Sequence, residues 1–207
     1  MKFISRQYAR AFSFLHEIWR FLLIVTALLI GSGVIGYLLA VTFPEFFNEF
    51  MNMLRITLTE GGLVDDEGNI SEIMLFLNNA RVALTGIIQG IMPFVFIPVL
   101  FVLLNGTLTG IVLGYQWNNG ENVPLTFLSG IMPHGLFEFP ALIISWAAGM
   151  FLCYSMIKLI FGKKSGDEFA ELLKKTAAIY CCIVVPLLII AAIVEANLTP
   201  IILEAVM

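Results

Sequence analysis

Long apolar stretches separated by short polar ones dominate the chain. The first runs from Phe21 to about Thr42, and a second, from Ile73 to Gln116, is long enough for two helices with a break at Gly90-Ile91-Met92-Pro93. Leu136 to about Phe161 and Thr176 to Ala196 follow, the latter carrying Pro186, and Pro98 is expected to kink the helix after the break. Each stretch suffices for a helix of about 20 residues, the length that crosses about 30 Å of hydrocarbon. Proline sets the breaks and kinks because it removes a backbone donor and clashes with the preceding turn. The piece from Val123 to Met132 is too short to cross and too apolar for water. It predicts a re-entrant hairpin turning near Pro133-His134-Gly135, hence a re-entrant or broken helix near 123–140. Such irregular backbone survives at depth only where protein or cavity water satisfies it. The fold class predicted is all-α, a polytopic transmembrane bundle of about five spanning helices, with residues 1–207 as a single integral membrane domain.

Composition reinforces this pattern. Hydrophobic residues make up 59% of the 207 and charged ones 13%, against about 45–50% and about 25% in ordinary soluble domains. A water-soluble enzyme is thereby excluded. The net charge of -4 argues against nucleic acid as a partner, which needs a concentrated basic face. Cys153, Cys181 and Cys182 lie in apolar stretches without Cys-x-x-Cys spacing and read as packing residues.

Charge also orients the chain, because Lys and Arg accumulate in cytoplasmic loops. Nine of the 11 basic residues sit at Lys2, Arg6, Arg10, Arg20, Lys158, Lys163, Lys164, Lys174 and Lys175. An even number of passes between these clusters puts both on one side. The expectation is a multi-pass protein of the cell membrane with a cytoplasmic amino terminus and an extracytoplasmic carboxyl terminus. Residues 1–19 form an amphipathic cytoplasmic segment along the bilayer surface, 43–72 an acidic extracytoplasmic loop with a turn-rich tip at Gly61–Asn69, and 158–175 a basic cytoplasmic loop. Within the acidic loop, Glu45 to Leu58 has the pattern of an interfacial helix.

Helices in lipid associate through close van der Waals contact, which favours small residues on the touching face. Gly106, Gly110 and Gly114 form two overlapping Gly-x-x-x-Gly motifs, Gly86 and Gly90 another, and Ser32–Gly36 and Ser145–Gly149 extend the pattern. Packing within one bundle and a homodimer seam need the same smooth surface, so the pattern leaves both open.

Ionisable groups inside a bilayer almost always face protein or a water-filled cavity. Asn78, Arg81, Thr85 and Gln89 fall within about a 140° arc at about 100° per residue, a polar stripe expected to face the bundle interior. His134 and Glu138 are i and i+4 and share a helix face, flanked by Pro133, Gly135 and Pro140. Glu138 is expected to pair with Arg81, provided the Pro-His-Gly turn sinks or Arg81 reaches upward. No Ser-His-Asp set, phosphate-cradling loop or His-Glu-x-x-His is present, so no catalytic residue is assigned. No metal or cofactor is assigned either, because catalytic zinc needs three protein ligands. Only two chains meeting at Pro133-His134-Gly135 would supply His134 and Glu138 twice.

Pro133-His134-Gly135-Leu136-Phe137-Glu138-Phe139-Pro140-Ala141, followed by Ala147-Ala148-Gly149, resembles the signature of the stage II sporulation protein M family. Asn78-Asn79-Ala80-Arg81-Val82-Ala83 and Leu104-Asn105-Gly106 with Gly110 are similar to its other recurring patches. The resemblance implies a non-enzymatic integral membrane protein and adds Asn79 and Asn105 to the buried polar candidates. It also implies a role like that of the namesake, a membrane anchor gathering peptidoglycan-degrading partners at an engulfing septum. The family extends to organisms that form no spores, so the resemblance leaves the process open. The favoured function is an oligomeric scaffold in cell-envelope processes. It would be embedded in the lipid bilayer, with a dimer as the favoured oligomer and other envelope proteins as further partners. The alternative is a channel or secondary transporter for a small polar solute or ion, with Arg81, His134 and Glu138 lining the path.

Overall fold

Hydrophobic stretches become helices, apart from one break, over the residues described in this computed structural model, 2–60, 72–199 and 201–202. In chain order the helices are α1 (Lys2–Glu17), α2 (Trp19–Thr42), α3 (Pro44–Glu60), α4 (Glu72–Gln89), α5 (Ile97–Asn118), α6 (Val123–Thr126), α7 (Met132–Ile160), α8 (Gly166–Ile179) and α9 (Val185–Asn197). The expected tip at Gly61–Asn69 lies outside the described residues. Four stretches are long and apolar enough to cross a membrane: Trp19–Thr42, Ile97–Asn118, Val123–Ile160 and Gly166–Asn197. α4 is a shorter apolar helix. Its 18 residues still reach about 27 Å at about 1.5 Å per residue.

The expected re-entrant hairpin does not form. Residues 123–160 make one helical stretch, widened to a π-helical turn over Phe127–Ile131. The same device recurs at Tyr180–Val184, which joins α8 to α9. Each π turn ends two residues before a proline, Pro133 or Pro186. A proline ring collides with the carbonyl four residues back, here Ser129 or Cys182, and both carbonyls lie inside the widened turns. Widening by one residue makes room for the ring, so the helix continues where a break was expected. Pro98 imposes no kink either. It stands in the first turn of α5, where the missing N–H has no helical partner to lose. The break before it falls at Gly90–Phe96, with Phe94 and Phe96 in left-handed conformations (φ 69° and 48°), which non-glycine residues rarely adopt.

The glycine stripe of α5 packs inside the chain. Gly106 meets Leu29 and Ser32, Gly110 meets Gly33 and Tyr37, and Gly114 meets Tyr37 and Ala40. This rising sequence of contacts makes α2 and α5 parallel. At Gly110 an added Cβ would run into the Gly33 carbonyl oxygen. α4 and α7 are parallel in the same way, Gly86 facing Trp146 and Gly90 facing Gly149. Asn118 donates to the Ala40 carbonyl at 2.9 Å and closes the far end of the α2–α5 pair.

Both basic clusters lie at one end of the bundle. α1 buries Ala11 and Phe14, and Ile18 follows it, against a core containing Phe169, Leu172 and Ile179. Its polar face pairs Arg10 with Glu171 at 3.4 Å and Glu17 with Lys175. Most of the segment expected as a loop at 158–175 is therefore helix. Lys158 belongs to α7, a turn follows, and Ser165 starts α8 with a capping box closed by Glu168. α1 thus docks on that helix through the apolar face that carries Ala11 and Phe14. The acidic segment begins with α3, whose Phe47 is buried with Ala40 and Ile111.

Candidate functional site: a polar cluster between three helices

The polar residues that the fold gathers come from α4, α7 and α9. His134 stands in the first turn of α7, directly after the π turn, and Glu138 one turn further. Because the helix is unbroken there, both project to the same side. Antiparallel α9 brings Glu195 beside them: its carboxylate meets His134 Nδ1, and their side chains are 12% and 19% exposed. Thr199, just past α9, donates its hydroxyl to Glu195 Oε2 at 2.9 Å. The imidazole also donates toward the Gly130 carbonyl in the π turn. From α4 the buried Asn79 amide donates to the Glu138 carboxylate. Nearby, the Tyr180 hydroxyl donates to the Ala80 carbonyl at 3.0 Å and pins the second π turn to α4.

Glu138 and Glu195 interact electrostatically with each other and with His134. Two carboxylates and one imidazole thus share a site of low dielectric, where like charges repel strongly and each carboxylate needs a donor. Asn79 serves one and His134 with Thr199 the other. The arrangement ties α4, α7 and α9 to one another through contacts to the two carboxylates. Among the described residues no group of three or more His, Cys, Asp or Glu is placed to hold a metal ion.

Several expected placements are corrected. The polar stripe of α4 does not face the interior: Asn78 and Arg81 are exposed, and Thr85 and Gln89 are half-buried. The inward face carries Asn79, Ala83, Gly86 and Gly90 instead. Close packing against α7 requires small residues, and Gly86 lies so near Trp146 that a Cβ would stand 2.6 Å from the indole Cδ1. That requirement sets the rotation of the helix. The Arg81–Glu138 pair consequently does not form, and Asn79 takes the position at Glu138. Asn105 bonds the Phe101 carbonyl of its own helix at 2.9 Å and stays apart from the cluster. Pro133 and Gly135 lie in the first turn of α7, Gly135 buried against Phe139.

Sequence reasoning missed Glu195, Thr199 and Tyr180. A signal existed for Glu195, a lone carboxylate within an apolar run and the same mark that singled out Arg81 and Glu138. Its place in the last turn of α9 makes that mark ambiguous in sequence, because a carboxylate near a helix end is equally compatible with the membrane surface.

Apolar helices of spanning length, locked by a partly buried set of His, Glu and Asn, define a multi-pass integral membrane protein. Residues 21–200 match the model of the family described as Stage II sporulation protein M. The chain belongs to that family. No curated protein and no solved structure matches it.

Proposed function

We propose that this protein is a non-enzymatic, oligomeric scaffold of the cell envelope, with both basic clusters on the cytoplasmic side. One observation carries the reading: the polar groups gathered between α4, α7 and α9 are spent on fastening those helices to one another. His134 and Thr199 hold Glu195, Asn79 holds Glu138, and Tyr180 holds Ala80. The bonds join α4, α7 and α9 above a core of Trp146, Ala147, Ala148 and Leu152 that is fully buried. A rigid bundle of this kind suits a body that positions other membrane proteins. Positive residues prefer the cytoplasmic side, which assigns the α1–α8 end to the cytoplasm.

Reconstitution separates this reading from transport. Vesicles containing the protein should release potassium and glycine no faster than protein-free vesicles, and Glu138→Gln should leave that baseline unchanged. Sustained flux abolished by Glu138→Gln would replace the scaffold with a transport path. In native membranes, cross-linking should give discrete oligomers, and a strictly monomeric protein would remove the oligomeric part.

A further inference from the structure

Among the described residues, Arg81 is a charged group on an apolar helix to which the fold supplies no ion-pair partner. It is exposed in the middle of α4, nine residues from either Glu72 or Gly90, or about 13 Å along the helix. Among the described residues no carboxylate pairs with it. Glu138 and Glu195 are held on the other side of α4 by Asn79 and by His134 with Thr199. Arg81 also does not stand alone. Asn78, Thr85 and Gln89 share its side of the helix, and the buried Gln89 Oε1 has no hydrogen-bond partner. At about 100° per residue this stripe is centred about 125° round the helix from the packed face.

Polar side chains on the outside of a membrane helix normally mark a surface covered by protein. Three occupants are conceivable, and the stripe discriminates among them. A lipid phosphate would satisfy Arg81 and Asn78 by snorkelling. Thr85 and Gln89 lie about 6 and 12 Å further along the helix, beyond such a contact. A second copy meeting face to face would set two guanidinium groups against each other at low dielectric, where like charges repel most strongly. A helix carrying a carboxylate opposite Arg81 answers both the charge and the length of the stripe.

We propose that the α4 face of Asn78, Arg81 and Thr85 docks a transmembrane helix of a different protein that bears an Asp or Glu at the depth of Arg81. The guanidinium binds the carboxylate, and the Asn78 amide and Thr85 hydroxyl bond the partner's polar groups one turn to either side. This deepens the scaffold reading and rests on it, since it names the chemistry of a client.

The test uses the full chain, donor-labelled in phosphatidylcholine vesicles at pH 8, with acceptor-labelled transmembrane peptides of Leu and Ala. One peptide carries a single Glu one third of the way along, and its controls carry Gln or Leu there. Energy transfer should show the Glu peptide binding about tenfold more tightly than the Leu peptide, the order expected for one to two intramembrane polar contacts. Arg81→Leu and Arg81→Gln should erase the preference, and Asn78→Leu should reduce it a few-fold. These side chains are exposed, so thermal unfolding should stay at the wild-type value. Equal binding of the Glu and Leu peptides would overturn the proposal, as would a preference surviving in Arg81→Leu. Loss of the preference when phosphatidylglycerol is added would make a lipid phosphate the occupant, and disulfide-linked dimers of Leu84→Cys would make it a second copy. Either result overturns the assignment. The scaffold reading fails separately, through solute flux or a monomeric state.

Discussion

Glu195 shows how much a single membrane carboxylate depends on its neighbours. Three groups from three regions of the chain, Asn79, His134 and Thr199, converge on it and Glu138. Removing one partner leaves the other desolvated without its hydrogen bond, a loss of about 1–3 kcal/mol. His134→Ala and Glu195→Ala should each lower stability by that amount in detergent-solubilised thermal unfolding. The double variant should lose less than the sum, with a coupling of about 0.5–3 kcal/mol. Additive losses would show that the pair does not interact. Gly110 is the corresponding steric case. An added methyl would displace the Gly33 carbonyl, so Gly110→Ala should cost about 1–3 kcal/mol by overpacking, whereas Gly31→Ala, with open space around it, should be neutral.

At the scale of elements, the junctions control the architecture. α8 begins with Ser165 and Glu168 closing a reciprocal cap at 3.2 and 2.7 Å. Ser165→Ala should destabilise the start of α8 by about 0.5–2 kcal/mol. Hydrogen exchange should quicken first at residues 166–169. The Ser-x-x-Glu spacing is legible in the sequence, but the charged residues around it give the pattern of a loop. Phe14 anchors α1 in the core: it is fully buried and lies 5.9 Å from the ring centre of Phe151 on α7. Phe14→Ala should free α1 and expose its Arg6 and Arg10 bonds to trypsin. Unchanged digestion would place the anchor elsewhere. The two π turns were beyond sequence reading for a different reason. A proline in an apolar run is compatible with a break, a kink or a widened turn, and only the neighbours packed around it select among them.

For the whole molecule, α1 and α8 place both basic clusters at one end, and the His134–Glu195 contact lies far along the spanning helices from it. A membrane-impermeant maleimide should therefore label Ser165→Cys only from the cytoplasmic face in a variant whose Cys153, Cys181 and Cys182 are replaced by serine. Labelling from outside would reverse the proposed orientation without altering the fold.

The amino-acid sequence by itself determined that this chain lies in a bilayer, roughly where its helices run, and that Gly106, Gly110 and Gly114 form a packing surface. These properties depend on composition, length and periodicity, which are local. It also marked His134 and Glu138 as a pair on one face, because i and i+4 need only a continuous helix. Tertiary structure alone decided that the glycine stripe packs on α2 within the chain, that α4 turns Asn79 inward and Arg81 outward, and that Glu195 completes the cluster. Periodicity defines two faces of a helix but does not say which one a neighbour covers. At α4 the small residues allowed the closer approach, and van der Waals contact between helices outweighed the claim of a single arginine to the interior.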